Sequence, residues 1–335
     1  MNGVNLEHFQ FEYDLTWMSF FQDEKGRTYT RYGGRDDSGS ESHLNKESLL
    51  TTMHAVLELH KTKSVQPFSR FEPFPEPDSE VPLIETPSEL PTMKQMMSKR
   101  KESCIHCHDV KVARLRHHHE KDTLQKDMVF TYPSPQNLGF MIDPKQQNII
   151  QEVAVSSPAA KGGLRSGDKL LFADGHRVLT YADLTRVLEV REETGKLQLV
   201  IERDKVPTTH ELKLPKGWRI SNDPAWRSSL HVVGPGAGFW GRPANKKERK
   251  PLKLGPTDLA LKVTFIWADH AKASKVKVGD IITDLDGHRE NMNMRQFHAF
   301  LNLNRKWGDK IKLTGVRKGN PIELKMALPS EPPWE

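Results

Sequence analysis

This 335-residue chain has two cysteines, Cys104 and Cys107, three positions apart in "SCIHCHDV", and His108 follows the second directly. Two thiols and an imidazole at this spacing invite four chemistries. A disulfide over so short a loop would stabilise little, because the entropy removed from the unfolded chain grows with loop length. A redox dithiol needs a helix N-terminus or a neighbouring cation to lower a thiol pKa. A zinc site could combine Cys104, Cys107 and His108 with one of His117, His118 or His119, since thiolate and imidazole both suit that metal. Covalent haem is the fourth: Cys-x-x-Cys-His lays both sulfurs along one porphyrin edge within a helical turn, and the adjacent imidazole reaches the iron. Two cysteines scattered at random seldom land at this spacing with histidine next, so haem c on Cys104, Cys107 and His108 is the leading expectation and zinc the alternative. His117, His118, His119 and Met128 are within sequence reach as the second axial ligand. The bland reading of the histidine triplet is a solvated basic helix face.

The elements around this segment read as small units on a long chain. Hydrophobic residues make up 36% of the sequence, and the mean hydropathy is -0.65, which suits several small cores joined by polar connections. The net charge of +6 comes from 50 basic and 44 acidic residues that are interspersed, so nucleic acid is not an expected partner. No run approaches the ~20 apolar residues of a membrane span. The opening "MNGVNLEHFQFEYDLTW" lacks the basic start and apolar core of a signal peptide.

Near the start, Trp17 to Phe21 and the alternating Thr28 to Tyr32 flank Asp23-Glu24-Lys25-Gly26, which predicts a hairpin. A helix capped by Asn45 follows, with Leu49, Met53, Val56, Leu57 and His60 as its apolar stripe. Residues 64–91 are rich in proline and read as an extended linker. The later chain repeats itself: "AAKGGLRSGDKLLFADGHRV" from Ala159 aligns without a gap on "AKASKVKVGDIITDLDGHRE" from Ala271. Each copy has a strand before it (149–155 and 261–266), a helix after it (181–190 and 294–303) and a closing strand pair whose alternation gives one buried face.

The repeat resembles bacterial PDZ domains of the kind appended to periplasmic proteases, on "SSPAAKGGL", the Gly-Asp step and the Asp-Gly turn. That resemblance implies an extended peptide added as a strand beside a helix, with loop amides holding its terminal carboxylate. The implied groove residues are Leu138, Gly139, Phe140, Tyr181, Thr185 and Leu188 in the first copy and Gly238, Phe239, Trp240 and Gly241 in the second. "ANKKERKPLKLG" looks like the extra short helix of bacterial members. The alternative is that the second copy serves as packing alone. No nucleophile turn of the Gly-x-Ser-x-Gly or Gly-Asn-Ser-Gly-Gly kind appears, so no protease activity is expected. The hairpin and helix resemble the second half of a thioredoxin fold, although Leu15-Thr16 stands where that family places a cis proline.

The whole order resembles exported planctomycete thioredoxin/PDZ proteins. The expected fold is α+β and modular: a partial thioredoxin-like unit (1–63), a Pro-rich linker (64–97), a helical Cys-x-x-Cys-His segment (98–129) and two PDZ domains, partly open β-barrels with helices (130–219 and 226–330). The expected function is a peptide-binding scaffold carrying haem c. A redox enzyme acting on recruited partners and a zinc-stabilised scaffold are the alternatives. Export is expected if the true N-terminus lies upstream of Met1, and a cytoplasmic location if it does not.

Overall fold

The computed structural model describes residues 1, 3–6, 8–62, 86–98, 104–220 and 223–333. The chain is of mixed α and β structure and forms two compact units, Met1–His117 with Asp127–Asn222, and His118–Lys126 with Asp223–Glu335. Among the described residues, no helix is long and apolar enough to cross a membrane.

The first unit opens with the expected hairpin, β1 (Met18–Gln22) antiparallel to β2 (Thr28–Gly33). Asp23 fixes its turn by accepting the amides of Lys25 and Arg27 at 3.0 and 2.9 Å. Helix α1 (Lys46–Lys61) follows, and the Asn45 side chain caps it through the amides of Glu47 and Ser48. Its expected apolar stripe is corrected: Met53 and Leu57 are 41% and 51% exposed, and the buried positions are Ser48 and Thr52. The cause is polar. Tyr32 donates from its hydroxyl to the Asn45 carbonyl at 2.6 Å and lies 2.7 Å from the Ser48 hydroxyl, so small polar residues face the strand.

The linker also ends sooner than expected. Residues 63–85 lie outside the described part, but Pro87–Glu89 forms a 3-10 turn and Pro91–Ser98 a helix, α2. Met93 is fully buried, and the Thr92 hydroxyl donates to the Ala113 carbonyl at 2.7 Å on helix α3 (Cys107–Glu120). These helices share a cluster with Leu6, Phe11, Tyr13, Leu15, Ile105 and Val110. Within it, the buried Lys111 ammonium meets Glu12 Oε1 at 2.8 Å, Asp14 Oδ2 at 3.0 Å, the Val129 carbonyl and the Thr131 hydroxyl. Among the described residues β1 and β2 form a sheet of two strands followed by α1, the hairpin and helix expected here, and no further strand pairs with them.

The first repeat runs β3 (Phe140–Ile142), β4 (Ile150–Val153), α4 (Pro158–Lys161), β5 (Lys169–Ala173), β6 (His176–Arg177), α5 (Tyr181–Glu189), β7 (Gly195–Arg203) and β8 (Val206–Leu214). Strands β3 and β4 pair with each other, and the other sheet has the order β6-β5-β7-β8. Alternation decides the faces: Leu197, Leu199, Ile201, Leu212 and Leu214 all enter the core beneath α5. The β7–β8 loop is two residues, Asp204 and Lys205, both at positive φ, the turn that matches strand twist.

The second unit repeats this plan with β9 (Phe239–Pro243), α6 (Lys246–Arg249), β10 (Leu261–Ile266), α7 (Asp269–Ala273), β11 (Ile281–Leu285), α8 (Met294–Asn304), β12 (Lys310–Arg317) and β13 (Asn320–Ala327). Here the strands make one sheet of order β13-β12-β11-β10-β9. Helix α6 stands where the inserted short helix was expected.

The repeated Gly-Asp step has the same role in both copies. Gly167 and Gly279 take φ of 88° and 94°, a region that costs a side-chain residue strain. The aspartate that follows accepts a forked pair of bonds from the closing hairpin: Asp168 from Arg203 at 2.7 and 2.8 Å, Asp280 from Arg317 at 2.7 and 2.8 Å. Each carboxylate also accepts the amide three residues earlier, Arg165 or Lys277, at 2.8 Å.

Candidate functional site

In the first repeat a 3-10 turn, Pro135–Leu138, capped by the Ser134 side chain, leads into Gly139 at φ 85° and then β3. Leu138 and Phe140 turn their side chains into the core. Helix α5, which packs on the turn before β3 and on β2, is fixed at its start by a capping box in which Thr180 and Asp183 exchange bonds. The sequence places Tyr181, Thr185 and Leu188 on this helix correctly, but they do not line an open groove. All three are buried, and part of the cover is the chain's own N-terminal region.

The contacts that make this cover are specific. The Asp183 carboxylate accepts the Thr30 hydroxyl at 2.5 Å and the Arg31 amide at 3.0 Å. The His43 ring stacks on Tyr181 with centroids 3.5 Å apart, and its Nε2 lies 2.8 Å from Asp36 Oδ2. Gln136, in the turn before β3, donates to the same Asp36 oxygen at 3.3 Å. A cavity of about 420 Å³ remains between Asp37 and Ser38 on one side and Gly139, Phe140, Met141 and Glu152 on the other.

Burial would raise the Asp36 pKa, but the hydrogen bond and charge of His43, with the bonds from Ser38, outweigh it and hold the carboxyl at about 2. A depressed carboxyl contributes stability above its unfolded pKa of 3.8 and loses it as pH falls through about 2. Asp36→Asn is therefore expected to lose about 2 kcal/mol near neutral pH and to flatten the acid limb of the stability curve. Urea titrations at stepped pH read both effects, and acid limbs of equal slope would show that the contact contributes nothing.

In the second repeat, β9 lies at the edge of its sheet with α8 beside it. Phe239 is buried, whereas Trp240 is 41% exposed. Gly238 has φ of 72°, and Gly241 lies so close to the Lys262 carbonyl that an added Cβ would sit 2.5 Å away. Three residues that sequence reasoning missed complete this region. His298 places Nε2 3.0 Å from the Phe239 carbonyl, and its ring stacks with Trp240 at 5.7 Å and approaches Trp267 at 5.9 Å. Phe265 stacks on Trp267 at 6.3 Å. Burial lowers the His298 pKa against the raising effect of the Phe239 carbonyl. A signal for His298 was present: it stands five residues after its helix cap Asn293, as Thr185 stands five after Thr180.

The cysteine segment is arranged differently from the haem expectation. Cys107 is the first residue of α3, half-buried, with Sγ donating to the Leu15 carbonyl at 3.5 Å. Burial pushes its thiol pKa up, with the nearby Asp14 and Asp109 acting in the same direction, the opposite of an activated thiolate. Cys104 is exposed, and the His108 ring, half in solvent, lies 5.6 Å from the ring of His106. Two thioethers and an axial imidazole need one common open face. With Cys107 turned toward Leu15 and its core cluster, these residues do not fit a porphyrin as they stand. Of the expected distal residues, His117, His118 and His119 continue the same helix as His108, roughly 14–17 Å along its axis at 1.5 Å per residue, and Met128 lies in a 3-10 turn. None of the three histidines can face His108 across one iron. Cys107, at the start of the same helix, is farther still from them along the axis, and among the described residues no group of three or more His, Cys, Asp or Glu is placed to hold a metal.

Comparison with known proteins agrees with part of this picture. Residues 136–214 match the PDZ domain family, so the first repeat is a PDZ domain. No curated protein matches the chain. Among solved structures, the HtrA-type protease AlgW with a tripeptide shares 16% identity at a TM-score of 0.27, over 44% of this chain and 56% of that one. A variant of AlgW with a decapeptide shares 15% at a TM-score of 0.27, over 41% of this chain and 50% of that one. The chain thus spans about half the length of these structures, and likenesses this distant carry no argument about activity.

Proposed function

We propose that this chain is a peptide-binding scaffold with two PDZ-type modules, and that the second takes an extended peptide along β9. The observation that carries the reading is an edge strand facing α8, with Trp240, Trp267, Phe265 and His298 grouped beside it. An edge strand offers main-chain partners to an added strand, and aromatic rings supply apolar contact at small entropic cost. The equivalence of the two repeats supports it: the shared Gly-Asp step, the shared aspartate–arginine fork and the two-residue closing turn all recur.

The test is a panel of peptides ending in an apolar residue, each made with a free and an amidated C-terminus and titrated by calorimetry against the full chain. Carboxylate capture at the loop preceding β9 predicts that amidation weakens binding at least tenfold. Trp240→Ala is expected to weaken it by a similar factor, about 1.4 kcal/mol. Equal binding of both peptide forms would mean that the loop does not read a carboxylate, and binding unaffected by Trp240→Ala would move the site away from β9.

A further inference from the structure

The side chains that a PDZ helix turns toward its peptide are, in the first repeat, already in contact with this chain. Residues 34–43 leave β2, cross Tyr181 and return to the cap of α1. Gly34 has φ of +121°, and a Cβ there would stand 2.9 Å from the Tyr181 ring, so glycine lets backbone lie flat on that ring. At the other end of the segment, His43 covers the ring by stacking at an interplanar angle of 8°, and its carbonyl accepts from Gln147 Nε2 at 3.4 Å. Gln147 in turn accepts the Tyr181 amide. Tyr181 and Thr185 are left 4% and 6% exposed.

Between these points the segment offers a carboxylate to the loop. Asp36 is 4% exposed, and its Oδ2 accepts from the Gln136 side-chain Nε2 at 3.3 Å, two residues before Leu138. A peptide C-terminus would bring the same charge to the same end of the groove. We propose that residues 34–43 are the resident ligand of the first PDZ groove, a tethered occupant with Asp36 standing in for a terminal carboxylate, so that outside peptides bind at the second repeat alone. The inference rests on the reading of these grooves as peptide sites. Tethering explains how a polar segment keeps the place: its effective concentration is set by the chain, on the order of millimolar for a flexible link.

The experiment uses the full chain and a degenerate library of free-carboxylate heptapeptides bearing a photo-crosslinker. In the wild type, crosslinks are expected at β9 and α8 and none above background at β3 and α5. Gly34→Val, which forces the backbone off Tyr181, and the pair Asp36→Ala with His43→Ala are expected to raise crosslinking at β3 and α5 at least tenfold. Hydrogen exchange in α5 should accelerate by a similar factor in both variants while exchange in β7 and β8 stays unchanged, which shows that the domain remains folded. Wild-type crosslinking at β3 equal to that of the variants overturns the proposal, as does α5 exchange that neither variant alters. If no peptide crosslinks anywhere, the peptide-binding reading fails, and α5 exchange still decides whether the segment is a displaceable cover.

Discussion

Lys111→Met is expected to cost the first unit about 3–5 kcal/mol, the largest single loss in this chain. The buried ammonium is the shared partner of Glu12 and Asp14, and it also donates to the Val129 carbonyl and the Thr131 hydroxyl. Methionine fills similar volume but leaves two carboxylates, each less than a tenth exposed, without their cation. For a unit of this size the loss corresponds to a fall in melting temperature of roughly 6–20 °C. Adding Glu12→Gln and Asp14→Asn to Lys111→Met should recover a large part of it, because the penalty lies in the abandoned charges. Scanning calorimetry of the three proteins reads the result. A single variant that melts within a degree of the wild type would show that the ion cluster is not formed.

Asp280→Ala is the second large effect, about 3 kcal/mol in the second unit. Its carboxylate ties the start of β11 to the closing hairpin through Nε and Nη2 of Arg317 and to the turn before it through the Lys277 amide. Arg317 keeps about a quarter of its side chain in solvent, so the abandoned guanidinium is partly rehydrated and the cost falls at the lower end for a broken buried pair. Asp168→Ala should impose the same loss on the first unit, where Arg203 holds the equivalent place. Hydrogen exchange resolves the two units separately. Exchange in β12 and β13 should rise in Asp280→Ala and hold steady in Asp168→Ala, and uniform acceleration in both would contradict the local account.

The repeats were legible because their signals are local. Leu197, Leu199 and Ile201 alternate within one strand, and the Gly-Asp step needs a particular φ; outside the repeats, the cap of α1 at Asn45 is a local signal of the same kind. What escaped the sequence depends on distance along the chain. The stripe on α1 was misread because hydrophobic spacing ignores Tyr32, whose hydroxyl draws Ser48 inward. Helix α2 was hidden among prolines, although Thr92 and Met93 find their partners on α3 and in the N-terminal cluster. The covering of Tyr181 could not be read at all, since His43 lies far upstream and nothing in its local pattern specifies a stacking partner.

The bonds from Thr30 and Arg31 to Asp183 join residues 153 and 152 positions apart. A two-stranded hairpin is marginal in isolation, so β1 and β2 cannot settle until α5 has been made. At synthesis rates of about 5–20 residues per second, that delay is roughly 8–30 s after the hairpin itself emerges. Throughout this interval both strands of the hairpin lack the helix they dock on, and their outer edges stay open to pairing with a neighbouring chain until it arrives.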